Sequence, residues 1–404
     1  MEQWNIIKAY DYCYNVTDGT HDSPKQTEFG KYLITSKHIK DNRIDFESAY
    51  KISEDDYNKI ITRSKVDQWD IIISMIGAHC GFCCIESSKQ TDYAIKNVGL
   101  LKVGNELKCK WLYYYLTSPH GKQQLSKLRS GSSQPYISLG ALRNLDIPVP
   151  NENTMSDIVS VLSSLDSKIE LNRRINDNLE QQAQALFKSW FVDFEPFRGG
   201  EFVDSELGLI PKGWRVVSLG EVTKQITEKV GNREDVTVLS PINSGELVLS
   251  EEYFTKQVFS KDLSKYLIVN PLSFAYNPAR INIGSIGLNT FDFVGCVSPV
   301  YVVFECEPNY QYFFDFFKRT AMFKDEVALR AIGGVRQSLG YNDLSLIKTI
   351  YPTSDVVVEF NNLYLKMKEV MIKNTDQNEK FISFRDSILP KLMSGELKIN
   401  EFNC

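Results

Sequence analysis

The sequence predicts an α+β protein: two α/β globules separated by two long antiparallel coiled-coil helices, with an internal pseudo-twofold repeat. Three observations carry this prediction. First, apolar residues fall at Ile158, Leu162, Leu165 and Ile169, then at Leu179, Ala183, Leu186 and Trp190. These steps of four and three are the spacing of a coiled-coil seam, and Asn172 and Asn176 hold its two middle positions. Second, the seam recurs 202 residues later, at Phe360, Tyr364, Met367, Met371, Asn374, Asn378, Phe381, Arg385, Ile388 and Leu392. Only Arg385 departs, standing where the first copy has Ala183. Third, a strand-rich stretch precedes each seam, so the order is globule, helix, globule, helix.

No Gly or Pro interrupts residues 156–194, which predicts one helix roughly 50 Å long at about 1.5 Å per residue. A lone heptad run ordinarily reads as the surface helix of a bundle. Here the paired asparagines recur at matched register, which points to two copies packed on each other. Asn172 and Asn176 are symmetric about position 174, and Asn374 and Asn378 about position 376. Antiparallel pairing on those midpoints brings Asn172 to Asn378 and Asn176 to Asn374. A slipped register buries unpaired amides at about 1–3 kcal/mol each, so the asparagines are expected to fix register more than to add stability.

The chain has 404 residues, enough for two or three domains, and is 43% hydrophobic. Its opening residues, MEQWNIIKAY, lack the basic-then-apolar pattern of a signal peptide. The longest apolar run, residues 71–78, is too short to span a bilayer, so a cytoplasmic location is expected. Eight unevenly spaced cysteines suggest a reducing compartment rather than a disulfide framework. The net charge of −5 argues weakly against nucleic acid, but two windows are free of acid. Between Glu106 and Asp146 lie Lys108, Lys110, Lys122, Lys127, Arg129 and Arg143; between Asp262 and Asp292 lie Lys265 and Arg280. Such windows read either as a solvated basic face or as a phosphate-binding one.

In chain order, residues 1–150 form the first globule. Strands are expected at residues 4–7, 30–35, 70–74, 81–85 and 100–103, then a helix over 110–128 with a Pro-His-Gly break, a Gly-Ser loop at 129–134 and an edge strand ending in prolines at 145–150. Residues 151–195 are the central helix. Residues 196–213, rich in Gly and Pro without periodicity, read as a linker. Residues 214–352 repeat the first pattern: Trp214 answers Trp4, 312–317 answers 111–116, and 333–336 answers 131–134. Residues 353–397 are the C-terminal long helix.

The runs Leu171-Asn-Arg-Arg-Ile-Asn-Asp-Asn-Leu-Glu180, Ala185-Leu-Phe-Lys-Ser-Trp-Phe-Val-Asp-Phe194, Gly208-Leu-Ile-Pro-Lys-Gly-Trp-Arg215 and Ser387-Ile-Leu-Pro-Lys-Leu-Met-Ser-Gly-Glu-Leu397 resemble the specificity (S) subunit of Type I restriction-modification systems. The resemblance implies two target recognition domains held by the helix pair and no catalytic activity in this chain. It implies a bipartite DNA site, one half per globule, presented to two modification subunits and to restriction subunits. S-adenosylmethionine, and ATP with Mg, are then expected on those partner subunits and no cofactor on this chain.

The residues themselves agree. There is no GxxxxGKS phosphate loop and no dinucleotide fingerprint. Asn277-Pro-Ala-Arg280 lacks the second proline and the aromatic of an amino-methyltransferase motif. Cys80-Gly-Phe-Cys83 beside His79 has zinc-like spacing without a second ligand pair, so neither a metal nor a catalytic residue is assigned. Phosphate contacts are expected from the basic windows and base readout from loop side chains. The candidates are Lys127, Arg129, Ser132, Ser133 and Gln134 in the first globule, and Arg280, Arg330, Arg336 and Gln337 in the second. His21, His79 and Asn97 are weaker candidates, and the Gly-Ser loop also reads as a plain turn. Two rival readings are a self-contained adenine methyltransferase with built-in recognition domains and a coiled-coil interaction protein without a DNA role.

Overall fold

The computed structural model describes residues 4–40, 43–131, 134–254, 256–331, 338–397 and 399. By compactness the chain divides into residues 1–173 with 374–404, and residues 174–373. Each unit therefore holds one globule and half of each long helix. The helices are Glu152–Phe191 and Ser354–Met393, each of 40 residues.

In the first unit, strand Asn5–Lys8 pairs antiparallel with Asp146–Val149, so the globule begins and ends on one two-stranded ribbon. Between them runs a sheet in the order Asn15–Asp18, Val98–Lys102, Asp70–Ser74, Cys83–Ile85. Strand Asp70–Ser74 is buried throughout, and its alternation shows why. Ile71 and Ile73 face a core of helices, while Ile72 faces a second core with Ile34, Ile39 and Tyr93. A period of two lets one strand feed two cores. Strand Lys31–Thr35 joins Lys51–Ile52 on one side and runs parallel to Tyr93–Lys96 on the other.

The expected helix with a Pro-His-Gly break is two helices, Glu106–Thr117 and Pro119–Lys127. Ser118 caps the second by accepting from Gly121 N, with Pro119 at its first position. Gly121 is required there, because a Cβ would lie 1.9 Å from the Tyr115 carbonyl oxygen. Trp111, fully buried, donates to the Pro148 carbonyl at 2.9 Å and ties helix Glu106–Thr117 to the closing strand.

The second unit repeats the plan. Arg215–Ser218 pairs with Lys348–Tyr351, and the main sheet runs Thr223–Ile226, Val302–Cys306, Phe274–Tyr276, Ile286–Leu288, the same order as in the first unit. A second sheet runs Leu247–Leu249, Thr237–Pro241, Gly295–Val297, Leu267–Val269. Helices Gln311–Phe317 and Ala321–Arg330 stand where the first unit has Glu106–Thr117 and Pro119–Lys127. The stretch expected as a linker is built: it carries a short helix Glu195–Phe197 and a hairpin of Phe202–Ser205 with Gly208–Pro211. Phe194 and Phe197 meet the Trp214 indole edge-on at 5.6 and 5.0 Å. Aromatic contact, which leaves no periodic trace in a sequence, orders this segment.

The long helices pack antiparallel within each unit. In the first, Met155, Ile158, Val159 and Leu162 share a core with Ile388, Leu389, Leu392 and Met393. Asn172 donates its amide to Asn378 Oδ1 at 3.0 Å, and Asn378 donates to the Ile169 carbonyl at 3.2 Å. In the second, Ala183, Phe187 and Phe191 share a core with Val357, Phe360 and Tyr364, and Asn176 donates to the Met371 carbonyl at 3.0 Å. Of the remaining seam residues, Leu165, Leu179, Leu186, Met367, Met371, Asn374 and Phe381 are half-buried.

The Ala183/Arg385 departure from the repeat has a physical reason. Ala183 is fully buried in an aromatic layer, where Phe187 stacks on Phe316 at 5.4 Å. Arg385 is instead half-buried and pairs with Asp166 at 2.7 Å.

The Asn172–Asn378 bond predicts two outcomes. Asn172→Leu removes the donor to the buried Asn378 Oδ1 and costs about 1–3 kcal/mol in denaturant unfolding. Cysteines introduced at both 172 and 378 cross-link under mild oxidation, as read by peptide mass mapping, whereas a pair at 165 and 378 does not.

Candidate nucleic-acid interface

Each globule sets two loops side by side where a central strand of its main sheet ends. In the first, strand Asp70–Ser74 runs into the turn at residues 75–82. Gly77 N donates to the Pro135 carbonyl and Ile137 N to the Met75 carbonyl, both at 2.9 Å. Ser130 and Tyr136 exchange two backbone hydrogen bonds, at 2.8 and 2.9 Å, closing the second loop on itself. Such a tie holds a loop's exposed side chains in fixed places on a rigid sheet.

Three sequence-predicted residues come together here. Lys127 is exposed at the C-terminal end of helix Pro119–Lys127, and Arg129 and Gln134 are exposed on the loop that follows. Arg129 also braces the fold, since its Nη2 donates to the Cys80 carbonyl at 2.5 Å and fastens the two loops together. Ser132 and Ser133 lie outside the described residues. His79 sits in the neighbouring turn, its ring 5.2 Å from that of Phe82.

Sequence reasoning missed Phe82 and Tyr136, two exposed aromatics on these loops at 47% and 45%. Their signal was present but weak, a single ring next to a Gly or a Pro. The rest of the basic window is sorted by its contacts. Arg143 donates to the Val16 carbonyl at 3.0 Å and Lys110 pairs with Glu106 at 2.7 Å, while Lys108 and Lys122 stand exposed.

His21 and Asn97 form a separate cluster. His21 Nδ1 is 2.9 Å from Asn97 Oδ1, and its Nε2 is 3.1 Å from buried Asp18, which also takes Arg63. Asn97 is in the left-handed region at φ 54°, so this group is organised around backbone geometry as much as around exposure.

The second globule shows the same pairing of loops. Strand Phe274–Tyr276 runs into the turn at 277–285, and Leu339 N donates to the Pro278 carbonyl at 3.1 Å. Arg280 is exposed at the head of the short helix Ile281–Ile283. Arg330, at the end of Ala321–Arg330, is held by Glu326 at 2.9 Å, which offsets part of its charge. Arg336 and Gln337 lie outside the described residues. Asn277 Oδ1 accepts from Ala279 N at 3.0 Å, so this side chain shapes the turn.

The zinc-like pair is part of the core. Cys80 and Cys83 are buried, and burial pushes the Cys83 thiol up to about 12 and raises that of Cys80. Cys80 donates to the Met75 carbonyl at 3.4 Å. Among the described residues no group of three or more metal-ligating side chains comes together, and no helix is long and apolar enough to cross a membrane. The chemistry the surface offers is hydrogen bonding, positive charge and aromatic faces on ordered loops.

Residues 2–181 match the family described as the Type I restriction modification DNA specificity domain. The chain is 26% identical over 303 residues to the specificity subunit of the Type I restriction enzyme MjaIX of Methanocaldococcus jannaschii, covering 72% of this chain and 70% of that one. It is 24% identical over 352 residues to the HindI specificity subunit of Haemophilus influenzae, covering 68% and 74%. In fold it is similar to a solved Type-I restriction-modification S subunit from M. genitalium, with a TM-score of 0.54 at 15% identity over 96% of each chain. The match to the specificity-domain family thus covers residues 2–181, and the chain is similar over about 70% of its length to Type I restriction-modification specificity subunits.

Proposed function

We propose that this chain is the non-catalytic DNA-recognition subunit of a Type I restriction-modification complex, reading one half of a bipartite site with each globule. The observation that carries the reading is the repetition itself. Two globules with the same sheet order each tie the turn after a central strand to a later segment of the chain, and the side chains of the two turns differ. Shared scaffolding with unlike surfaces is what reading two different half-sites requires.

Within this reading, Lys127 and Arg280 contact phosphates, and Gln134 reads a base edge, together with Arg129 where its guanidinium is free of the Cys80 carbonyl. Ser132, Ser133, Arg330, Arg336 and Gln337 remain candidates for such contacts. Gln suits adenine and Arg suits guanine in the major groove. Two modification subunits dock on the long helices, where Gln181, Gln182 and Gln184 are exposed, and restriction subunits join for cleavage. S-adenosylmethionine, and ATP with Mg, belong to those partners, and the complex works in the cytoplasm.

The deciding experiment is methylation mapping after co-expression with the modification subunits. Two short blocks around an unread spacer are expected; one contiguous motif rules the proposal out. Isothermal titration of the lone chain with S-adenosylmethionine should show no binding, and a clear isotherm favours a self-contained methyltransferase. Native mass spectrometry of the complex is expected to show two modification subunits per chain.

Single substitutions separate the roles. Lys127→Ala should weaken binding to every sequence alike and lower the salt dependence by about one counterion. Gln134→Ala should cost about 1–3 kcal/mol and relax selectivity at one position of one half-site. Competition gel shifts at several salt concentrations measure both.

A further inference from the structure

The two globules are fastened to the long helices by polar clamps, and the clamps are unlike. In the first unit, Tyr114 on helix Glu106–Thr117 donates its hydroxyl to Asp166 Oδ2 at 2.7 Å, and Arg385 Nη1 donates to Asp166 Oδ1 at 2.7 Å. One carboxylate on the first long helix thus joins the globule and the second long helix. In the second unit, Arg319, two residues beyond helix Gln311–Phe317, pairs with Glu180 of the first long helix. It also takes Asp315 at 2.8 Å, and Asp315 holds the buried Lys318 at 2.9 Å. Lys318 in turn donates to the Ile286 carbonyl at 3.0 Å, so this clamp reaches into the main sheet.

The repeat shows that neither clamp has a counterpart. At an offset of 202, Tyr114 becomes Phe316, Asp166 becomes Lys368 and Arg385 becomes Ala183. In the same way Arg319 corresponds to Thr117, and Glu180 to Ile382. Apart from Ala183/Arg385, the seam keeps its character between the copies while the polar partners of the clamps are exchanged. The first globule on the second seat would bring the buried Tyr114 hydroxyl to Lys368 in place of a carboxylate. The second globule on the first seat would bring Arg319 to Ile382. Each mismatch removes the carboxylate acceptor on the helix: the Tyr114 hydroxyl meets an ammonium and loses the acceptor for its proton, and the Arg319 guanidinium keeps only Asp315 of its own globule, which penalises the wrong seating.

We propose that these clamps are keys. Asp166 with Arg385, and Glu180 with Arg319, are positioning residues that admit each globule to one seat and set its angle on the helix pair. Only the consequence for DNA rests on the recognition function proposed above; the keying is a property of the chain alone.

The test places at each seat the residue of the other. Amide hydrogen exchange on the full chain should rise about tenfold in residues 106–117 for Asp166→Lys, with residues 311–317 unchanged. Glu180→Ile should give the reverse pattern, and Asp166→Glu should restore protection. A chain with residues 1–150 and 214–352 exchanged should, in the complex with modification subunits, distinguish spacer lengths about tenfold less sharply than the parent. Adding Asp166→Lys, Lys368→Asp, Ala183→Arg, Arg385→Ala, Glu180→Ile and Ile382→Glu should recover that sharpness. Unchanged exchange in both point variants overturns the keys, and so does an exchanged chain with parental spacer discrimination. Should the exchanged chain not fold, the point variants still decide. A parent complex without site-selective binding removes the recognition function, while the exchange pattern still judges the keys.

Discussion

Two carboxamides decide the register of the helix pair. An apolar seam of Leu, Ile and Met is nearly indifferent to a slide of one heptad, since each knob finds another apolar hole. The Asn172 and Asn378 amides are not indifferent, being buried and satisfied by each other and by the Ile169 carbonyl. Their pairing places Asp166 beside Arg385, and Asp166 is also what Tyr114 meets. The seat of the first globule is therefore inherited from a hydrogen bond in the seam. In the second unit Asn176 meets the Met371 carbonyl and Glu180 lies one turn further along the same helix, holding Arg319.

What was legible in the sequence was whatever repeats. The 4-3 spacing gave the long helices, and the offset of 202 gave the duplication, because a helix face writes its burial into the sequence with a fixed period. The sheet order was not legible. Asp70–Ser74 pairs with Val98–Lys102 and Cys83–Ile85, and a strand buried on both faces carries no alternation of polarity to show it. Residues 196–213 looked structureless because their order comes from Phe194 and Phe197 on Trp214, contacts that have no period.

The interface was legible by composition and not by geometry. A window without acids pointed to Lys127, Arg129 and Gln134, and the structure sets them at the end of one helix and on the tied loop that follows it. It also spends the Arg129 guanidinium on the Cys80 carbonyl and holds Arg330 with Glu326. Counting basic residues cannot tell a charge that faces solvent from one that braces a loop. Phe82 and Tyr136 escaped notice for the opposite reason: a lone aromatic in a sequence reads as core until its surroundings are seen.

The buried thiols have a use beyond packing. Cys13, Cys80, Cys83, Cys84 and Cys109 lie in the first unit and Cys296 and Cys306 in the second, all unpaired and all buried. Burial raises every one of these thiols, to about 11 for Cys296 and about 12 for Cys306. Only the thiolate attacks an alkylating reagent, so at neutral pH these positions are nearly inert while the fold is closed. Alkylation at each one becomes a clock for local opening. Because the clocks are distributed over both units, peptide-resolved labelling during thermal or denaturant challenge records which unit opens first, without any introduced probe.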